Sequence, residues 1–519
     1  MNLSKWVTTN AAFSPNKAAL HFNDQTWSYS EMAAEVERVA SILQHELGIK
    51  KGDRVGILSH NRPEFLSLLF ACAKLGAILN PINWRLALPE LMFIVQNAEL
   101  SVLFVTELFD SIEKPLAEQL PSCQVVGLDY RPTHNPNSKF WQDLGQSTKL
   151  TKAIGMLDDP LMLVYTSGTT GRPKGAVLTQ SNLQWNAFNA IHMMNLTSED
   201  HVLTMLPLFH VGGLNNQTTP ALCVGATVTL HDNVVPDKIL ESIGSSEQER
   251  PTVTCVVPAI MAACIASPHW NKTDFSNLRL TITGSTLVPT NLSDSFRDQG
   301  VAVLEMYGLT ETAPVSVYHR PDSDFSKTGS TGMAGLYSEI RIVGSNGKEV
   351  GPNEEGEVLI KGANVMVEYW RNPEATAEVF GRLSGQLDEA HNVGWFHSGD
   401  IGYLDEDGYL YIKDRKKNMI ISGSENIYAA EVERVIYEHP AVAECALIGR
   451  PDTKWGEIPV AIIAAKPGKT LTEAEMREFM QGRLARYKLP KAYIFTDELP
   501  KNAMGKIQHF LVRELFREV

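Results

Sequence analysis

Residues 165–175 read Tyr165-Thr166-Ser167-Gly168-Thr169-Thr170-Gly171-Arg172-Pro173-Lys174-Gly175 and follow the apolar run Leu161–Val164. A strand that runs into such a loop can bring its backbone up to a polyphosphate. Gly168 and Gly171 remove side-chain bulk, the hydroxyls and amides donate to phosphate oxygens, and Lys174 offsets charge. A Walker loop has glycine, four residues, then Gly-Lys-Ser/Thr. Here two residues, one of them proline, separate Gly171 from Lys174. The spacing points to a nucleotide enzyme outside the Walker class, with a Ser/Thr/Gly surface turn as the alternative.

A second stretch, Met306-Tyr307-Gly308-Leu309-Thr310-Glu311-Thr312, carries complementary chemistry. Tyr307 offers a flat face to an adenine and Gly308 permits close backbone approach. Thr310 and Glu311 are hard oxygen donors of the kind Mg²⁺ prefers, with phosphates completing the shell. Trp395-Phe396-His397-Ser398-Gly399-Asp400 sets a carboxylate after a glycine, suited to accept from both ribose hydroxyls. Four more segments complete the set: Pro207–Gly213 around His210, Ile282–Thr286, Ser422–Glu431 and Pro500–Ile507. In type and order these segments resemble the adenylate-forming superfamily, which includes acyl-CoA synthetases, aryl-CoA ligases, luciferases and peptide-synthetase adenylation domains. The resemblance runs from the Tyr29 region to Lys506. In such enzymes a carboxylate attacks the α-phosphate of ATP, pyrophosphate leaves, and in the ligases a thiol then displaces AMP from the acyl-adenylate.

The resemblance implies ATP, Mg²⁺ and coenzyme A as cofactors and co-substrates, with a small carboxylic acid as the other partner. It places His210 beside the acyl site, with Gly212 and Gly213 leaving space there, and Gly284 and Ser285 between acid and adenine. Arg415 would reach ribose or α-phosphate, and Lys506 would bridge the carboxylate and the α-phosphate. The expected catalytic set is Lys506, His210, Thr310 and Glu311, with Thr166 and Glu311 as metal ligands. Ser422, Gly423 and Ser424 match the loop that enters the thioester-forming site when a small domain turns about Lys417, and Trp455-Gly456-Glu457 resembles CoA ligases. Departures from the family pattern are Ser285 and Ser424 where glycine is usual, Ser398 for threonine, Ala429 for proline, and Ala503-Met504 for a commoner Thr/Pro-Thr pair.

The expected activity is that of an AMP-forming acid–CoA ligase. Gly212, Gly213 and Leu214 suggest a roomy apolar pocket, which fits a medium- or long-chain fatty acid and fatty acid metabolism. An aryl acid of the hydroxycinnamate type is the alternative. Carrier-protein loading is disfavoured because the sequence stops 13 residues after Lys506 without a carrier domain. A luciferase-like oxygenase shares the motifs. A non-catalytic nucleotide sensor would tolerate loss of Lys506 or Glu311, and both are present.

These residues need a scaffold, and 519 residues are more than one core usually organises. The expected fold is α/β: a large N-terminal domain (1–416) of mostly parallel sheets covered by helices, and a small mobile α+β C-terminal domain (417–519). Ser28-x-x-Glu31 reads as a capping box ahead of Met32, Val36, Val39 and Leu43 on one helical face. Further helices are expected over Leu88–Gln96, Glu431–His439 and Glu473–Leu484, and strands over Arg54–Leu58, Ala77–Leu79, Val102–Val105, Glu444–Ile448 and Val460–Ala464. Tyr403–Tyr411 reads as a hairpin turning at Asp405–Gly408. The charged run Lys413–Lys417 is either a solvated linker or the hinge, and the long stretch 381–392 reads as a surface loop.

A net charge of −14 argues against a general nucleic-acid binder. Six cysteines without a C-x-x-C pair read as buried free thiols. With no signal core and no apolar stretch long enough to span a bilayer, the expected location is cytoplasmic. Oligomeric state is not readable, and a homodimer is compatible with the chain.

Overall fold

The computed structural model describes the chain apart from residues 135–136, 147–148, 150, 167–172, 246–249, 285–287, 324–325, 382–393, 423–424, 453–454, 485, 503–504 and 517–519, and the side chains of 425 and 426. Local signals act where the sequence places them. The Ser28 hydroxyl caps Glu31 N–H while the Glu31 carboxylate accepts from Ser28 N–H at 2.8 Å, starting the helix Tyr29–Ser41. That helix unwinds into a π-helical turn, Ile42–Glu46, before the chain enters the strand Arg54–Leu58.

Two mostly parallel sheets form the body. One has eight strands, centred on Arg54–Leu58, Ile78–Pro81 and Val102–Val105, and runs at one side through the antiparallel pair Pro160–Thr166 and Lys174–Thr179 to the edge strand Glu368–Tyr369. The other has nine strands, with the parallel series His201–Thr204, Val253–Cys255, Leu280–Gly284 and Ala302–Tyr307 at its centre. One continuous apolar core runs through both. The helix Pro63–Leu75 shows why: Phe65 to Ala73 is buried without a break, as befits a helix covered on every side. Its late Lys74 escapes by pairing with Glu37.

The sequence reading did not anticipate a four-stranded antiparallel sheet built from Ser338–Val343, Gly356–Gly362, Phe396–Leu404 and Leu410–Arg415. The expected hairpin is its last pair, closed by Asp405 N–H on Tyr409 O and Gly408 N–H on Asp405 O. After it comes a five-stranded sheet with its own apolar core, which opens at Ile420 and takes in Val432, Ile436, Leu447 and Met476. The helix expected to Leu484 stops at Met480, because Gln481 turns extended (ψ 130°). All six cysteines are free thiols, five of them buried. No described helix is long and apolar enough to cross a membrane.

Candidate active site

The site gathers where strands of three sheets end. Asp400 and Arg415 face each other across the hairpin, and their pairing depends on an irregularity. Counting outward from Tyr403 opposite Tyr411, strict antiparallel register would set Asp400 against Asp414. A bulge between Ile401 and Gly402 gives the return strand one extra residue, so Asp400 pairs with Arg415 instead. Arg415 Nε lies 2.6 Å from Asp400 Oδ1, and the Tyr307 hydroxyl donates to Asp400 Oδ2 at 2.7 Å. Burial, followed by the charge of Asp400, pushes the Tyr307 phenol well above its ordinary range, so it remains a donor. Ser398 replaces the family threonine without loss of its hydrogen bonding: its hydroxyl donates to Val358 O at 2.6 Å and accepts from Asp400 N–H at 3.0 Å. Gly308 is required for packing, since a Cβ there would stand 1.5 Å from Pro314 O.

On the other side, Thr166 and Lys174 pair at the loop end of an antiparallel hairpin, with the Thr166 hydroxyl 3.4 Å from Lys174 O. Ser167, Gly168, Thr169, Thr170 and Gly171 fall outside the described residues. The chain resumes as a strand at Lys174, where a Walker loop would run into a helix. Thr310 and Glu311 sit in a short 3₁₀ turn, both 8% exposed. Glu311 Oε1 accepts from the Tyr369 hydroxyl at 2.7 Å, and among the described residues Glu311 has no ion pair within 4 Å. Tyr369 was not singled out from the sequence. Its signal was Tyr369-Trp370 just before Asn372-Pro373, where Asn372 caps the helix Pro373–Val379.

His210 closes the turn Pro207–His210, and its Nδ1 accepts from Gly212 N–H at 3.0 Å. The ring proton therefore sits on Nε2. Burial, with the charge of Lys506 behind it, lowers the imidazole to about 4, so it is neutral in ordinary buffers. Gly213 corrects the sequence reading. A Cβ there would fall 2.2 Å from Pro207 O, so this glycine serves tight packing and opens no pocket. Leu214 is likewise fully buried in the core. Gly284 ends its strand against Met306 O, 2.4 Å from where a Cβ would lie, and its neighbour Ser285 is outside the described residues.

Lys506 belongs to the small sheet's side of the molecule yet points into this cleft. Gly505 packs 3.9 Å from Ala259, judged by the Cβ it lacks, and the charges of Arg415, Asp400 and Lys417 all act on the ammonium. The lysine loop is closed by Lys506 N–H on Asn502 Oδ1 at 2.9 Å and Asn502 N–H on Lys506 O at 2.8 Å. Burial first, then Arg415, lowers Lys506 to about 8. The cation is lost as pH rises through 8, so with the role that the resemblance implies for Lys506, kcat/KM for ATP in adenylation should fall above that pH. A pH–rate profile checks this, and Lys506→Arg should carry the basic limb upward. Ser422 pairs across the small sheet with Gly456, next to Trp455, which is 46% exposed. These two form a separate group, and Gly423 and Ser424 are outside the described residues.

Residues 7–370 match the AMP-binding enzyme family, and residues 431–506 match the AMP-binding enzyme C-terminal domain. The chain belongs to the AMP-binding enzyme family. It is 43% identical to an indoleacetate–CoA ligase of Aromatoleum aromaticum, over 99% of this chain and 98% of that one. It is 38% identical to a feruloyl-CoA synthase of an Amycolatopsis species, over 99% of each. A long-chain-fatty-acid–CoA ligase of Mycobacterium tuberculosis is 36% identical over 95% of this chain and 94% of that one. Among solved structures, ATP-bound MatB from Rhodopseudomonas palustris superposes with a TM-score of 0.89 at 31% identity, covering 100% of this chain and 99% of that one. The AMP-binding enzyme described here is thus an acid–thiol ligase of the AMP-forming type that uses ATP and coenzyme A.

Proposed function

We propose that this ligase activates an aryl acid, an arylacetate or hydroxycinnamate, in place of the medium- or long-chain fatty acid expected from the sequence. Two observations support the reading. The relatives at 43% and 38% identity carry aryl-acid names, whereas the fatty-acid relative stands at 36%. And the argument for a roomy aliphatic pocket fails once Gly213 and Leu214 are seen to be packed. The test is AMP release that requires CoA across a panel holding indole-3-acetate, ferulate, phenylacetate and palmitate. Indole-3-acetate or ferulate should lead. A preference for palmitate would sink the aryl reading and leave the ligase chemistry intact.

The convergence of Lys506, Arg415, Asp400 and His210 on one cleft carries the mechanism. Asp400 would accept the ribose hydroxyls on the lone pairs that Arg415 and Tyr307 leave free, with the Tyr307 ring against the adenine. Gly284 and Ser285 would border adenine and acid. His210 would offer Nε2–H on the acyl side. Lys506, positioned by its loop, would stabilise charge on the α-phosphate as the carboxylate attacks. Lys174 and the loop from Thr166 to Gly171 would hold the departing pyrophosphate. A divalent cation would suit Glu311, a buried carboxylate with no ion pair among the described residues, and Thr166 and Thr310 would offer further oxygens. Mg²⁺ there would supply charge neutralisation for the phosphates.

For the second half-reaction, the 422–424 loop and Trp455 would serve the thiol substrate. They lie on the same small unit as Lys506, so that unit must turn between steps. We place the boundary at 416/417, inside the turn closed by Asn418 N–H on Arg415 O at 2.8 Å. The small core begins three residues later, at Ile420.

A further inference from the structure

We infer that Tyr369 is a positioning residue that fixes the carboxylate of Glu311 while its ring faces Lys174, so that one oxygen of Glu311 stays aimed at the metal–phosphate position. The inference rests on the reading of Glu311 as a metal ligand. Three contacts converge on this tyrosine. Its hydroxyl donates to Glu311 Oε1 at 2.7 Å, and its ring lies 5.4 Å from Lys174 Nζ, within cation–π range. Its strand, Glu368–Tyr369, pairs with Lys174–Thr179, setting Tyr369 opposite Ala176.

The flanking backbone ties the same two elements together. Met366 N–H donates to Glu311 O at 2.7 Å, Val367 N–H to Val177 O at 3.2 Å and Trp370 N–H to Gly175 O at 2.7 Å. Residues 366–370 therefore form a short strap between the acidic turn and the phosphate hairpin, with Tyr369 the side chain that touches charged groups on both. Without it the Glu311 carboxylate would lose the donor that fixes its orientation, and the Lys174 ammonium would lose the ring face beside it. The ring faces the ammonium, and the hydroxyl uses one carboxylate oxygen and leaves the other. Tyr369 is 6% exposed, so its hydroxyl meets Glu311 with little competition from water.

Tyr369→Phe keeps the ring and removes only the hydroxyl. The probe is Mn²⁺ binding, followed by electron paramagnetic resonance, to enzyme saturated with α,β-methylene-ATP, which does not turn over at the α-phosphate. Tyr369→Phe should weaken Mn²⁺ binding about tenfold, the usual scale for losing a hydrogen bond to a metal ligand. The CoA half-reaction from synthetic acyl-adenylate should be unchanged. Tyr369→Leu, which also removes the ring, should in addition weaken binding of the nucleotide without metal, through Lys174. Glu311→Gln is measured alongside. Native Mn²⁺ affinity in Tyr369→Phe with weakened affinity in Glu311→Gln would overturn the role of Tyr369 alone. Native affinity in Glu311→Gln would overturn it by removing Glu311 from the metal.

Discussion

Lys506→Ala should slow adenylation by about 10²–10³, the scale of losing one donor aimed at developing charge. The lysine's setting explains why its effect should be confined to that step. It reaches the cleft from the small unit, beside Ala259 and under the influence of Arg415 and Asp400. An orientation that brings the 422–424 loop inward must carry Lys506 away. Thioester formation from supplied acyl-adenylate should therefore change little in the same variant. Single-turnover measurement of each half-reaction makes the comparison. Equal loss in both, with the fold intact, would show that Lys506 is not specific to adenylation.

Asp400→Asn should be nearly as damaging, and through binding. The carboxylate receives the Arg415 guanidinium at 2.6 Å and the Tyr307 hydroxyl at 2.7 Å while 4% exposed. An amide offers one acceptor in place of two and turns an N–H₂ toward a donor. It also leaves Arg415 without its counter-charge, and Lys506 close by feels that cation more strongly. The carboxylate is buried but the Arg415 side chain is 37% exposed, so screening keeps the loss near the low end of about 2–5 kcal/mol and kcat/KM for ATP should drop about 10²-fold. Most of the loss should appear in KM for ATP. A native KM with a lowered kcat would show that Asp400 does not hold the nucleotide.

The order of motifs made much of the site legible, because each segment pairs a chemical group with a glycine or turn residue that fixes its backbone. The cap at Ser28, the hairpin at 405–408 and the lysine after Gly505 were readable for that reason. What escaped depends on contacts between distant segments. Tyr369 meets Glu311 across 58 residues, and nothing local marks that meeting. Gly213 looked like space because sequence shows a missing side chain but not the carbonyl that takes its place. The antiparallel sheet at 338–415 was missed because its strands are separated by long connections. The early end of the helix at Met480 is a case of backbone choice at Gln481 overriding periodicity.

The bulge between Ile401 and Gly402 limits how this region can change length over evolutionary time. Its tip, Asp405–Gly408, is a loop of the kind that ordinarily accepts insertions. Here, side chains on the two strands alternate faces, so a single-residue shift in pairing reverses which of them look toward the nucleotide. Straightening the bulge with every residue kept would bring Asp414 opposite Asp400, two acids facing each other, and would swing Arg415 out of line. Asp414 would also leave Ala430 N–H, which it holds at 2.9 Å. Homologous chains should therefore vary in length at the hairpin tip only in ways that preserve the pairing parity.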